Sequence, residues 1–517
     1  MSKIIFLYIF LCFFLLLNIS QEQRHKVEDL FNGIYDKDIY TGYLKTDIEG
    51  NELFYVFTPS QSNPTTDPFF LWLGGGPGCS SVNDFAVEIG PVKPNLLKNE
   101  FEINEYSWNK KANILYIDNP AGVGFSLIKD EHMFFNDTIM AYSLNIALQN
   151  FFQVFNEYIN NDFYITGISY AGIYIPYLVK EIIKNENLKL NLKGILIGNP
   201  YTHEETDYED TIVEFCFTHG LISYPTFKKY LKHCPHLPQK EQIIKGDYEN
   251  DVEYEKYYYE DKIPMKNVTK KCNEIRQEIH EQMHGINFYG IHKECPTEDE
   301  VNKYRYNYKN INFDEMKKFS SRQKYLEIIK NNNFEKYNIK QGFGIDDLSK
   351  INFGEELEKA KDYISDCGFT AAELFVTNFL NEKSTKRKLG VNEEIIYNEC
   401  RDLFYKFGDS LDFYKNDLSE LSKQGFKAWL FSGTEDIIVS TLATERWINY
   451  NNFTIKYKWK QVIDDGKFIG MEQSYTNGLT LITVKNAGHM VPIDQPRAAK
   501  FILDKFLNSE YKIFKIL

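Results

Sequence analysis

Three features of this sequence predict an α/β fold with a mostly parallel central sheet flanked by helices. The first is a train of short apolar runs between residues 50 and 200: LFYVFT (53–58), FFLWL (69–73), ILYID (114–118), FYIT (163–166) and GILIG (194–198). The second is a long helix-like stretch between two of them, TIMAYSLNIALQNFFQVFNEYI (138–159). The third is the return of the same signal in KAWLFSG (427–433) and GLTLITVKNAGH (478–489) after a long interruption. Short apolar strands alternating with helices are the pattern of parallel strands joined by crossovers.

The interruption fixes the organisation. A chain of 517 residues exceeds what one uninterrupted core usually holds, so either two domains or one large domain with a substantial insertion is expected. With 43% hydrophobic and 16% aromatic residues the chain is globular in composition. From about 203 to 365 it becomes rich in Tyr, Lys, Glu and Asn, and GDYENDVEYEKYYYEDK (246–262) is too polar to pack a core and reads as an exposed loop. Helix-like pieces at Asn273–Met283 and Glu355–Ile364 flank that tract. The expected division is a signal peptide over 1–20, a first part of the α/β core over 21–202, a largely helical insertion over 203–365, and a second part of the core over 366–517.

The N-terminus carries Lys3, an apolar run from Ile4 to Leu17 and then a polar stretch with Ser20, which is the layout of a secretory signal. Fourteen apolar residues fall short of the roughly 20 that span a bilayer, which leaves an uncleaved anchor as the alternative reading. No later segment is apolar for long enough, so stable membrane insertion after signal removal is not expected. An oxidising compartment makes the cysteines disulfide candidates rather than metal ligands. Asn136, Asn267 and Asn452 each begin a glycosylation acceptor triplet. The net charge of −14 promotes solubility and gives no footprint for nucleic acid.

The chemistry concentrates in FYITGISYAGIYIP (163–176), where a strand runs into Gly167-x-Ser169-x-Ala171-Gly172 and then a helix. A nucleophile elbow forces its serine into a strained strand-to-helix turn, and small neighbours let backbone come close. A serine needs a base, and Asp436 and His489 follow in the order Ser, Asp, His, each just past a predicted strand. Earlier, FLWLGGGPGCSS runs a strand into Gly74, Gly75 and Gly76, whose backbone can offer N–H groups to an oxyanion. Nothing in this arrangement asks for a metal or an organic cofactor.

The stretches FFLWLGGGPGCSS, YSWNKKANILYIDNPAGVGFS, FYITGISYAGIYIP, GILIGNP, THGLIS and NAGHMVPIDQPRAA together resemble the serine carboxypeptidase family of α/β-hydrolases, over about 35–225 and 366–505. The resemblance implies Ser169 as nucleophile, His489 as general base and then acid, and Asp436 as its orienting partner. It implies an oxyanion hole from the N–H groups of Gly76 and Tyr170, and substrate contacts from Trp72, Gly75, Glu88 and Met490. The substrate implied is a peptide or protein C-terminus, in a secreted or lysosome- or vacuole-like setting, with homodimer formation left open. Matching family positions pairs Cys79 with Cys400, Cys234 with Cys272 and Cys295 with Cys367, and leaves Cys216 as a buried odd thiol.

This chain also departs from the family. Family members hold the substrate's terminal carboxylate through a tryptophan-positioned asparagine and two glutamic acids, one directly before the nucleophile. Here the asparagine position is Gly74 and the second glutamate position is Ile168, while Trp72 and Glu88 are kept. Each lost hydrogen bond to a charged group is worth about 1.5 to 3 kcal/mol. Thr434 replaces a further family aspartate, in a place where the change is tolerable. An acyltransferase or esterase/amidase using the same triad is therefore the alternative reading, and a non-catalytic binding protein on the same fold is the third.

Overall fold

The computed structural model describes residues 24–203, 207, 209–234, 269–295, 371–401 and 403–509. The signal segment, the polar tract 246–262, the piece Glu355–Ile364, Asn267 and Cys367 lie outside the described residues.

Every strand expected from an apolar run joins one sheet. Its strands are β1 (His25–Lys26), β2 (Tyr40–Lys45), β3 (Glu52–Thr58), β4 (Phe69–Leu73), β5 (Asn113–Ile117), β6 (Asp162–Ile168), β7 (Asn191–Gly198), β8 (Lys427–Gly433), β9 (Ile455–Asp464), β10 (Lys467–Tyr475) and β11 (Leu479–Val484). In space they run β1-β2-β3-β5-β4-β6-β7-β8-β11-β10-β9. The six from β5 through β11 pair parallel, and antiparallel strands close both edges. Strands β8 and β11 thus come from the far side of the long interruption and complete the sheet that β3 to β7 begin.

Helices cover both faces, which is why the central strands are buried on both sides. The helices used below are α1 (Ser81–Val87), α2 (Asp137–Val154), α3 (Ala171–Lys184), α4 (Glu209–Thr218), α5 (Tyr224–His233), α6 (Lys270–Met283), α7 (Ala371–Asn381), α8 (Thr441–Tyr450) and α9 (Pro496–Asn508). Successive strand residues point to opposite faces. Phe69, Leu71 and Leu73 pack with Met140, Leu144 and Ile173 of α2 and α3. Phe70 and Trp72 pack with Val82 and Phe85 of α1, Val376 of α7 and Ile502 of α9. A third cluster joins α4, α5 and α6 through Val213, Phe227, Tyr230 and Ile275, and the Cys234–Cys272 disulfide pins it. These three helices belong to the stretch read as an insertion, and none of its described residues enters the main sheet.

The second disulfide joins Cys79 to Cys400 over a separation of 321 residues, as the family correspondence implies. Cys295 is also disulfide-bonded, and Cys216 is free and buried. Asn452 is exposed, whereas Asn136 is half-buried and its Oδ1 caps α2 by accepting the Ile139 N–H at 2.9 Å. Among the described residues no helix is long and apolar enough to cross a membrane.

Candidate active site

The serine turn is built by backbone geometry. Strand β6 ends at Ile168, α3 begins at Ala171, and Ser169 between them has φ +61°, in the left-handed region that side chains other than glycine adopt at a cost of about 1–2 kcal/mol. The surroundings hold it there: the Ser169 N–H donates to Gly198 O at 3.0 Å, and Ser169 O accepts from Gly172 and Tyr201, both at 2.9 Å. Small residues flank the turn because the sheet crowds it. A Cβ on Gly167 would lie 2.2 Å from Leu73 O, and one on Gly172 would lie 2.3 Å from Tyr201 O.

Asp436 and His489 meet on the loops after β8 and β11. His489 Nδ1 and Asp436 Oδ2 are 2.7 Å apart, with Asp436 fully enclosed and His489 buried. The carboxylate has further donors: Asn199 Nδ2 reaches Oδ2 at 2.7 Å, and the N–H groups of Ile438 and Val439 reach Oδ1 at 2.8 and 3.2 Å. These donors fix the carboxylate in place, and with Nδ1 turned to Asp436 the imidazole has Nε2 as its remaining nitrogen. Asn199 also links the two halves of the site, since the residue before it accepts the Ser169 N–H. Its motif, GILIGNP, stood out in the sequence, but its role did not. Nearby, Thr434 accepts the Asn486 N–H at 3.2 Å through Oγ1, tying the loop after β8 to the loop after β11.

A short segment from the stretch read as an insertion crosses between these loops. Ile437 N–H donates to Phe288 O at 3.0 Å, His489 N–H to Tyr289 O at 2.6 Å, and Ile291 N–H to Glu435 O at 3.1 Å. The Tyr289 ring also packs edge-on against the His489 ring, with centroids 5.1 Å apart. Lys293 closes the strap with an ion pair to Asp494 at 2.5 Å, just beyond the histidine loop. Sequence reasoning did not anticipate this segment.

The glycine loop faces the serine. A Cβ on Gly75 would sit 2.6 Å from Ser169 Cβ and 3.1 Å from its Oγ, so Gly75 lies directly against the nucleophile candidate. Gly76, exposed, has φ +115°, and a Cβ there would strike Gly78 N at 2.5 Å. The loop is anchored behind by Cys79–Cys400, by Ser80 N–H to Glu399 O at 2.7 Å, and by Arg401 N–H to Gly78 O at 2.9 Å. The Tyr170 N–H precedes the first turn of α3, where backbone donors have no partner within the helix.

Trp72, Ile168 and Met490 belong to one buried apolar cluster beside this loop. Glu88 lies at its edge, 3% exposed, and neither of its carboxyl oxygens has a hydrogen-bond partner among the described residues. Burial first, then the carboxyls of Asp84 and Glu373, hold Glu88 well above the usual carboxylate range. Asp84 had no place in the sequence reading; its Oδ2 accepts the Trp72 indole N–H at 2.7 Å.

The sequence profile of the serine carboxypeptidase family matches residues 31–509. The chain belongs to the serine carboxypeptidase family. Among relatives of this serine carboxypeptidase family chain, "Serine carboxypeptidase-like 20" of Arabidopsis thaliana is 29% identical over 497 residues, covering 92% of this chain and 91% of its own. The lysosomal protective protein of Mus musculus is 28% identical over 485 residues, covering 91% and 90%. In structure, the prohormone-processing carboxypeptidase Kex1(Δ)p of Saccharomyces cerevisiae superposes with a TM-score of 0.61 at 20% identity, covering 94% of this chain and 95% of that one. At that identity the superposition speaks for the fold, and the α/β-hydrolase architecture read from the sequence is the architecture found.

Proposed function

We propose that this serine carboxypeptidase family member releases C-terminal residues from peptides through a Ser-His-Asp acyl-enzyme mechanism. The observation that carries the reading is the 2.7 Å His489–Asp436 contact at the same sheet edge as Ser169 on its φ +61° turn. His489 Nε2 takes the Ser169 Oγ proton as Oγ attacks the carbonyl carbon of the last peptide bond. The oxyanion settles on the N–H groups of Gly76 and Tyr170. His489 then passes the proton to the leaving amine, the C–N bond breaks, and the terminal residue departs. Water attacks the acyl-enzyme, giving a proton to Nε2, and that proton returns to Ser169 Oγ as the ester bond breaks. Trp72, Gly75, Glu88 and Met490 form the wall where the departing residue sits.

The experiment offers purified protein a blocked dipeptide acid, the matching amide and the ester from pH 4 to 8, beside Ser169→Ala. Turnover of the acid that vanishes in Ser169→Ala supports the proposal. Ser169-dependent turnover of amide and ester alone would replace it with the acyltransferase or esterase reading, which Gly74 and Ile168 favour. No serine-dependent turnover would leave the binding-protein reading.

The division into core over 21–202 and 366–517 and insertion over 203–365 belongs to the same proposal. So do entry by the secretory route, glycosylation at Asn136, Asn267 and Asn452, and a secreted or lysosome-like destination. The disulfides of the described residues support an oxidising compartment. A homodimer is checked by light scattering.

A further inference from the structure

The family's way of holding a terminal carboxylate is incomplete in this chain, because Gly74 and Ile168 bring no side-chain donor. A Cβ built on Gly74 would point at Asp84 Oδ2 from 3.1 Å, so another residue's carboxyl occupies the space that a longer side chain would enter. Trp72, fully buried, donates its indole N–H to that same oxygen at 2.7 Å. The tryptophan thus orients a carboxyl arriving from α1 rather than a side chain from its own loop. Gly75, the next residue, lies against Ser169, so the loop that meets this carboxyl also meets the serine.

One turn along α1 stands Glu88, whose backbone N–H donates to Asp84 O at 2.9 Å. Its carboxyl is enclosed and both its oxygens lack a protein partner among the described residues. A polar group buried in that state costs several kcal/mol unless a ligand or a proton meets it. Glu88 therefore has hydrogen-bonding capacity that no protein group among the described residues takes up.

We propose that Asp84 is the residue that holds the substrate's terminal carboxylate in this chain, with Glu88 beside it, a role that rests on the carboxypeptidase reading above. The chemistry follows from the occupied oxygen. Oδ2 accepts from Trp72, so a neutral Asp84 carries its proton on Oδ1 and donates it to a carboxylate oxygen. A charged Asp84 would repel the same ligand.

The surroundings favour the neutral form. Burial pushes Asp84 up to about 8, and the carboxyls of Glu373 on α7 and Asp118 after β5 add to the rise, against the Trp72 hydrogen bond. Glu399, beside Cys400, feels both Glu373 and Asp84 and is itself held well above its ordinary range, chiefly by burial. Tyr116 of β5 and Tyr397 also face Asp84 among the described residues. On the far side, Lys293 and Asp494 act on Glu88 with opposite signs.

The test measures binding of a blocked dipeptide acid and its amide to the full-length Ser169→Ala protein from pH 5 to 9, alone and combined with Asp84→Ala or Asp84→Asn. The expected result is a preference for the acid at pH 5 that fades as the pH passes about 8, the region set by Asp84. Asp84→Ala should cut that preference about 10- to 100-fold, the range for losing one hydrogen bond to a charge. Asp84→Asn, which keeps one acceptor for Trp72 and a non-titrating N–H donor, should restore the preference and carry it beyond pH 8. An acid preference untouched in Asp84→Ala, an Asp84→Asn protein as poor as Asp84→Ala, or no acid preference in the parent overturns the proposal. A protein with an intact Ser169 that binds the acid in this way but never turns it over would fail as a carboxypeptidase while leaving the role of Asp84 standing.

Discussion

Adding one methyl group at Gly75 should disable the serine without unfolding the protein. A Cβ at this position would lie 2.6 Å from Ser169 Cβ, 3.0 Å from Ile168 O and 3.1 Å from Ser169 Oγ, where ordinary contact begins at 3.4 Å. The closest pair is short by about 0.8 Å. The Ser169 backbone cannot easily yield, because its N–H and O are tied by three hydrogen bonds to residues 172, 198 and 201. Gly75 is also tied, through its O, to Cys79 N–H at 3.1 Å. The two loops must share the displacement, and overpacking of this kind costs about 1–3 kcal/mol of stability. A misplacement near 1 Å at a reacting group costs about 100-fold in rate. Gly75→Ala is therefore expected to lower kcat/KM on the blocked dipeptide acid about 100-fold while the melting transition falls by only a few degrees. Gly33→Ala, at a position where a Cβ meets nothing within 4 Å, controls for the methyl itself, its φ of +81° making a small loss of stability the only expected effect. A Gly75→Ala enzyme with wild-type turnover would refute the packing of the glycine loop against Ser169.

Asp436→Asn should lower kcat about 10⁴-fold with little change in fold, because the amide favours the wrong imidazole tautomer; steady-state kinetics with circular dichroism checks this. Asn199→Ala removes a donor to Asp436 Oδ2 and should cost about 1.5–3 kcal/mol, with added strain at the φ of +40° there; Asn199→Gly relieves the strain but not the lost hydrogen bond, so urea titration should show only part of the stability recovered, and kinetics none of the activity. Stability should fall with rising pH: Asp118, fully buried and pushed up to about 6, and Asp84, pushed up to about 8, both lie above their unfolded values, so what they contribute is complete below about pH 4 and is lost as the pH climbs through 6 and 8. For Asp118 the two-unit rise corresponds to roughly 3 kcal/mol, and urea titrations from pH 4 to 8 that show stability increasing with pH would contradict it.

What the sequence could reveal followed from how each feature is encoded. Strands β4, β5 and β8 were legible because they are buried on both faces and so read as unbroken apolar runs. The hairpin β9–β10 escaped because β9 is mostly exposed and polar, although its turn carried a signal: Asp465-Gly466, with φ of +48° and +74°, is a two-residue loop of the kind that favours Asp-Gly. The Ser169 elbow was legible because its glycines are steric necessities. Asp84 was not, since its contact with Gly74 depends on how α1 packs over the loop and leaves no spacing pattern in the chain. The contribution of residues 288–293 to the site was hidden for a different reason, since its hydrogen bonds to the aspartate and histidine loops are made through main-chain atoms.

That last feature bears on how such a chain can change. The strap at residues 288–291 holds the aspartate and histidine loops through its carbonyls and one amide, which every residue except proline supplies alike. Apart from Tyr289, whose ring meets His489, these hydrogen bonds constrain the path of the strap more than its side chains. A chain built this way can change side chains along the strap while the hydrogen bonds that hold the Asp436 and His489 loops stay in place. The limit on that freedom is one of length and direction: a deletion or a proline within the strap would reach the chemistry, where most substitutions would not.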